Sequence, residues 1–237
     1  MSQRNLDKQL NPFALQLRSL LLTIIAMATL LILPGLIAGY VFSAFNNFGV
    51  SVTSLAWQIW LTLLASIITL PILYCVALQF SQSKVALYLA VSKVSIEQVV
   101  KWLLITLLFW CGISVLGAIA NLPPEPFMAQ IKASGLHPLL LIGFICISAP
   151  ILEELLFRGL LFRRLENSYF KGVGAVFISS LVFTVIHTQY QISGLIIIFL
   201  IGCYFGFIRW YSKNTILSII AHIGHNSFSL IALYLLN

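Results

Sequence analysis

Long apolar stretches limit what this chain can fold into more than any other feature of the sequence. At about 1.5 Å per residue, about seven of them are long enough to cross roughly 30 Å of hydrocarbon as helices. They lie near residues 19–42, 52–79, 102–120, 139–162, 172–190, 193–209 and 214–236. Only 8% of the residues are charged, whereas soluble domains carry about 25%. The sequence therefore predicts an all-α, polytopic helical bundle that is integral to a membrane.

The basic residues predict how this bundle is oriented. If the apolar stretches cross the membrane alternately, Lys132 is the one lysine or arginine that falls in a connection on the second side. The connections on the first side contain Arg4, Lys8, Arg18, Lys84, Lys93, Lys101, Arg163, Arg164, Lys171, Arg209 and Lys213. Because basic residues concentrate on the cytoplasmic side, we expect a cytoplasmic N-terminus and a multi-pass protein, in the cell membrane if the source is prokaryotic. The net charge of +7 is then explained by the basic residues of the cytoplasmic connections. The expected partner is therefore the lipid bilayer and not nucleic acid.

The position of the ionisable groups divides the chain into two parts. No predicted span before residue 139 contains a charged residue or a histidine. We therefore expect residues 1–100 to form two membrane helices and a cytoplasmic connection, and residues 101–237 to form the functional helical bundle. The glycine pairs Gly35/Gly39 and Gly202/Gly206 have the GxxxG spacing, which is typical of close packing between membrane helices.

The fourth predicted span contains Glu153, Glu154 and Arg158. A charged side chain at the bilayer centre costs about 2.5–3.5 kcal/mol on insertion scales, so we expect these groups to face the interior of the bundle. Glu154 and Arg158 are four residues apart and can pair on one helix face. Glu153 then points about 100° away around the helix. Pro150 predicts a kink that either opens space for water beside Glu153 or only shapes the packing.

Two further polar pairs follow on later spans. Phe183 and His187 are four residues apart, and so are His222 and Asn226, with His225 between the latter two. A single histidine in a membrane helix can be a hydrogen-bonded structural residue, and the Glu154–Arg158 pair can be purely structural as well. Ionisable residues on three separate spans instead favour a shared functional site.

These residue types suit hydrolysis of an amide bond. A carboxylate and an imidazole can activate a water molecule, and a second histidine with an asparagine amide can stabilise the resulting oxyanion. The same groups could hold zinc, with Glu153, His187 and His222 as the ligands. The sequence lacks an HExxH motif, and its one aspartate, Asp7, lies outside the spans. A serine–histidine dyad stays open, but it would leave the buried glutamates unexplained.

At these residues the chain resembles the CPBP intramembrane proteases, a family of CAAX prenyl endopeptidases and bacteriocin-processing or self-immunity enzymes. EELLFR (153–158), FTVIH (183–187) and HIGHN (222–226) match its EExxxR, FxxxH and HxxxN motifs in order. The resemblance implies a catalytic bundle around a water-filled cavity. It also implies that Glu153 is the catalytic glutamate, that His187 helps to activate water and that His222 and Asn226 stabilise the oxyanion. Glu154 and Arg158 then support the site, together with Phe183 of the second motif.

We therefore expect an intramembrane endopeptidase that cuts a peptide bond of a membrane-associated or lipidated protein substrate. The glutamic type without a cofactor is favoured, because Asn226 is a poor zinc ligand and a good oxyanion donor; a zinc metalloprotease is the alternative. A proton-coupled transporter would use buried glutamate and histidine as a proton relay, and a non-catalytic immunity or scaffold protein could keep the same fold. The substrate and the oligomeric state are not predicted.

Overall fold

A computed structural model gives the fold of residues 20–21, 23–25, 27, 43, 69–78 and 84–235. This part of the chain is all-helical and contains no strand, as the sequence predicts. Most of the predicted spans 19–42 and 52–79 lies outside the described residues, and so do Gly35 and Gly39.

Eight helices follow one another from residue 69 onward in the described ranges. They are α1 (Thr69–Leu78), α2 (Val85–Tyr88), α3 (Ile96–Ile119), α4 (Pro126–Ala133), α5 (Pro138–Glu166), α6 (Lys171–Val185), α7 (Ile192–Ser212) and α8 (Thr215–Leu235). Helix α3 begins with a capping box, in which Ser95 and Gln98 each accept a hydrogen bond from the other's backbone N–H. Helix α7 ends at Ser212, and the left-handed backbone of the next residue, Lys213, stops it.

Four of these helices, α3, α5, α7 and α8, are long and apolar enough to cross a membrane. They correspond to the predicted spans 102–120, 139–162, 193–209 and 214–236. The span predicted over 172–190 is the shorter helix α6, which ends at Val185. The polar run HTQYQ follows (187–191), and it forms a turn in which the His187 N–H donates to the Thr184 carbonyl.

Helix α5 is not a regular α-helix. It changes to the wider π form at Ile142–Ser148 and again at Leu155–Leu161, with α-helical turns before, between and after these segments. Pro150 follows the first π segment. A proline inside a regular helix lacks a donor and clashes with the preceding turn, and the π turn is a place where such a disruption is absorbed. A π turn therefore directly precedes Pro150, and the kink at this residue stays a prediction.

Helices α5, α6 and α7 form the part of the bundle that holds the charged groups. The largest buried apolar cluster joins them and includes Leu156, Phe157, Leu160, Ala175 and Ile198. A methyl group added at Gly202 would lie 3.2 Å from the Ser180 Cβ, and one added at Gly206 would lie 3.2 Å from a Val176 methyl. The close helix packing predicted from the second GxxxG pair is therefore confirmed between α6 and α7.

Replacing Gly202 by leucine is expected to destabilise the protein by about 1–3 kcal/mol, because the larger side chain forces α6 and α7 apart. Thermal unfolding in detergent, followed by circular dichroism, measures this effect. Gly112 on α3 is the matched control, since outside its own helix no atom of the described residues lies within 4 Å of a methyl group added there. An equal loss of stability in Gly112→Leu would mean that helix contact at residue 202 is not the cause.

The connections that carry basic residues meet at one end of the bundle. Lys213, after α7, donates to Glu166 at the end of α5 over 2.7 Å. Asn214 donates to the Ser92 carbonyl in the connection before α3 over 3.1 Å. The connections on the predicted cytoplasmic side therefore lie together, as alternate crossing requires.

The opposite end of the bundle carries the proline-rich loop before α4. In this loop Glu125 accepts a hydrogen bond from the backbone N–H of Gln191 over 3.3 Å, directly before α7. Phe127 of α4 packs edge-on against Tyr190, with ring centroids 5.5 Å apart. The turn that follows α6 is therefore covered by the start of α4.

Candidate functional site

A buried ion pair on α5 is the centre of the polar cluster. Glu154 and Arg158 are both 0% exposed, and an Arg158 Nη1–H donates to Glu154 Oε1 over 2.9 Å. The second arm of Arg158 donates to the Gly202 carbonyl on α7 over 2.7 Å. The Phe183 ring of α6 lies 4.7 Å from the guanidinium carbon. The predicted pairing is confirmed, and Arg158 connects α5, α6 and α7.

The backbone of Arg158 has a partner of its own. Arg209, another buried arginine on α7, donates from Nε to the Arg158 carbonyl over 3.1 Å. In the surrounding π turn, the Phe162 N–H reaches back five residues to the Phe157 carbonyl. In the α register that follows, the Arg163 N–H would reach back four residues to the Gly159 carbonyl, which passes over the Arg158 carbonyl. Arg209 supplies the donor that this carbonyl lacks.

His222 of α8 lies between the two glutamates. Its Nδ1 is 3.0 Å from Glu154 Oε1, and its Nε2 is 3.8 Å from Glu153 Oε2. The ring stacks on Phe205 of α7, with centroids 4.4 Å apart and planes at 26°. Because Glu154 also accepts from Arg158, one carboxylate orients both the guanidinium and the imidazole. His222 therefore presents Nε2 towards Glu153.

Glu153 differs from its neighbour in exposure and in contacts. Its side chain is 22% exposed, whereas that of Glu154 is 0% exposed. The 3.8 Å separation from His222 is longer than a hydrogen bond. The Glu153 carboxylate is thus close to an imidazole and still open to a reactant. This is the arrangement expected of a general base, while Glu154 is held in an ion pair.

His187 lies in the turn after α6 and not on a helix, so the prediction of a helix through this residue is wrong. Helix α6 ends at Val185, two residues before His187. The four-residue relation to Phe183 is retained, because His187 Nδ1 is 2.7 Å from the Phe183 carbonyl. Donation from Nδ1 would leave the Nε2 lone pair available. The Phe183 ring lies 4.5 Å from the His187 ring and 6.0 Å from the His222 ring, so it separates the two histidines.

Asn226 lies one turn after His222 on α8. Its Nδ2 donates to the Ile145 carbonyl in the first π segment of α5 over 2.9 Å. An amide nitrogen carries two donors, so one N–H is occupied and the second remains for a ligand. The side chain of Asn226 is therefore held by α5, the helix that also carries both glutamates.

Three residues of the site are not among the predicted site residues. Phe205 orients His222, and the Gly202 carbonyl binds Arg158; the GxxxG spacing marks Gly202, but no pattern marks Phe205. Tyr190 is the third, with its ring 6.2 Å from that of His187.

The predicted zinc ligands do not converge as a metal site. Structural and catalytic zinc sites use at least three protein ligands in tetrahedral geometry. Within residues 84–235, which include Glu153, His187 and His222, no group of three His, Cys, Asp or Glu side chains is arranged to hold a metal ion. The arrangement of these residues does not fit a three-ligand zinc centre.

Comparison with known proteins supports the interpretation of this region. Residues 135–228 match the family model described as type II CAAX prenyl endopeptidase, Rce1-like. The matched segment contains every candidate site residue from Glu153 to Asn226. The chain is also 33% identical over 127 residues to an Escherichia coli protein described as "Uncharacterized 24.3 kDa protein". That alignment covers 52% of this chain and 58% of the relative. No solved structure matches the chain.

Proposed function

We propose that this protein is an intramembrane endopeptidase, because residues 135–228 match the Rce1-like family model, which is consistent with the CPBP proteases. It hydrolyses a peptide bond of a membrane-associated or lipidated protein substrate. One observation carries the proposal: Glu153 stands partly exposed, 3.8 Å from His222, in front of the buried Glu154–Arg158 pair. The pair keeps one glutamate fixed, and the other is open to a water molecule.

In the proposed reaction, Glu153 takes a proton from a water molecule whose oxygen attacks the scissile carbonyl carbon. His187 helps to hold this water through Nε2. When the carbon–nitrogen bond breaks, the proton passes from Glu153 to the leaving amine. General acid–base catalysis of this kind contributes about 10²–10⁴-fold to the rate. No step requires a covalent intermediate with the protein.

The negative charge that develops on the carbonyl oxygen must be stabilised by hydrogen-bond donors. Asn226 is the proposed donor, through the N–H that does not bind Ile145. His222, one helical turn away, donates from Nε2 only as an imidazolium, because its Nδ1 proton goes to Glu154. Both are held by α5, Asn226 by the Ile145 carbonyl and His222 by Glu154. Donors held in place before the reaction stabilise the transition state without reorganising.

The orientation in the membrane is also part of the proposal. We propose about seven crossings, a cytoplasmic N-terminus and a location in the cell membrane if the source is prokaryotic. The gathering of the connections after α5 and α7 at one end of the bundle supports this arrangement. The candidate site lies among the helices between this end and the turn after α6.

Replacing His187 by alanine is expected to lower kcat/KM by about 10²–10⁴-fold, because the water loses one of its two proposed partners. Cleavage of a panel of lipidated fluorogenic peptides by purified protein in liposomes measures the effect. His137→Ala is the matched control, because His137 only caps the start of α5 through Leu139 and should retain the native rate. Equal cleavage by all three proteins would remove His187 from the proposed mechanism.

The same assay separates the remaining alternatives. We propose that no metal takes part, so a zinc chelator is expected to leave cleavage unchanged. Loss of cleavage that returns with added zinc would establish the metalloprotease alternative. Proton flux into the liposomes without cleavage, lost on replacing Glu153, would instead support a transporter.

A further inference from the structure

The first π segment of α5 leaves one backbone carbonyl without a backbone donor. At its end, the Ala149 N–H reaches back five residues to the Phe144 carbonyl. In the α register that follows, residue 150 would reach back four residues, to Cys146. The Ile145 carbonyl lies between these two acceptors. It could receive a backbone bond only if the π register continued to residue 150, and that residue is Pro150, which has no N–H.

The Asn226 side chain occupies this carbonyl. It donates from Nδ2 to Ile145 over 2.9 Å, across the interface between α8 and α5. The second π segment repeats the arrangement, since the passed-over Arg158 carbonyl accepts from Arg209. Each π turn of α5 thus leaves a carbonyl that binds a side chain from another helix. Only at the first π turn is the residue that could donate to this carbonyl from the backbone a proline, which has no N–H.

We propose that Pro150 is a positioning residue for the reaction: it keeps the Ile145 carbonyl free of backbone donors, so that Asn226 is held in one orientation. The inference rests on the proposed function, in which the remaining Asn226 N–H faces the oxyanion. Pro150 itself touches neither substrate nor reacting atoms. Its effect passes through a single hydrogen bond.

Replacing Pro150 by alanine gives residue 150 an N–H that can donate to Ile145. The π register can then extend by one residue, and Asn226 loses its acceptor. The expected result is a fall in kcat of about 10-fold or more with KM nearly unchanged, since loss of one oxyanion donor costs about 10²–10³-fold. Alanine favours helix more than proline does, so the variant should fold. The matched control is Pro138→Ala, at the first helical position of α5, where the N–H has no partner in the helix.

A double-mutant cycle tests whether Pro150 acts through Asn226. Asn226→Ala alone is expected to lose about 10²–10³-fold in kcat. In that background, Pro150→Ala should cost nothing further, because the bond that it disrupts is already absent. An equal loss from Pro150→Ala in both backgrounds would overturn the inference, and so would native activity in Pro150→Ala alone.

A second measurement does not depend on cleavage. In protein labelled with ¹⁵N-asparagine, the side-chain amide signal of Asn226, identified by its loss in Asn226→Ala, should shift in Pro150→Ala and not in Pro138→Ala. An unchanged signal overturns the inference whatever the activity. A shifted signal in a protein that cleaves no peptide supports the link between Pro150 and Asn226 while the proposed function fails.

Discussion

Replacing Glu153 by glutamine is expected to lower kcat by about 10²–10⁴-fold, because the amide cannot accept the proton of the attacking water. Glutamine keeps the size of the side chain, and the Glu153 side chain is 22% exposed and makes no close ion pair with Arg158. The free energy of unfolding should therefore stay close to the native value. Cleavage of a lipidated peptide and thermal unfolding in the same detergent measure the two quantities.

The control for this variant is Glu97→Gln, at the exposed start of α3. It makes the same chemical change far from the site along the chain and should cleave at the native rate. Two results would contradict the prediction: cleavage by Glu153→Gln at the native rate, or a loss that simply follows a loss of stability. The first would remove Glu153 as the base, and the second would make it a structural residue.

Replacing Arg158 by methionine is expected to destabilise the protein by about 3–5 kcal/mol, the effect of removing one partner of a buried ion pair. Glu154 would keep its charge in a fully buried place without a cation. The Gly202 carbonyl would also lose its donor. Chemical unfolding in mixed micelles, followed by circular dichroism, measures the change.

The double variant Glu154→Gln with Arg158→Met separates charge from packing. It leaves no unpaired charge, so it should recover much of the stability lost in Arg158→Met. Its cleavage activity should stay low, because His222 loses the carboxylate that orients Nδ1. If the double variant is as unstable as Arg158→Met, loss of packing and not an unpaired charge explains the destabilisation.

Local spacing was enough to predict several of these contacts. Residues four apart share a helix face, which correctly pairs Glu154 with Arg158 and relates His187 to Phe183. The GxxxG spacing of Gly202 and Gly206 likewise predicts close helix packing, because small residues let two helices approach closely, and the structure shows that the partner is α6. The cost of charge in hydrocarbon indicates that the charged groups face inward. Each of these inferences depends on residues that are near one another in the sequence.

Which polar side chains of different helices meet could not be predicted in this way. His222 lies beside Glu153 and Glu154 because α5 and α8 pack together. The spacing of residues within either helix does not predict how the two helices are aligned with each other. The π turns of α5 depend on where backbone bonds shift from four residues to five, which the apolar pattern does not record. The bonds from Asn226 to Ile145 and from Arg209 to Arg158 follow from those turns. The end of α6 at Val185 was missed because the apolar pattern was extended through a polar run.

The most direct measurement is an experimental structure of the Glu153→Gln variant with a bound peptide substrate in lipid. The account predicts a water between the residue 153 side chain and His187, within about 3.5 Å of the scissile carbonyl carbon. It also predicts the carbonyl oxygen within hydrogen-bond distance of Asn226 Nδ2. A peptide bound elsewhere, with packed apolar side chains filling the space between residues 153 and 187, would contradict it.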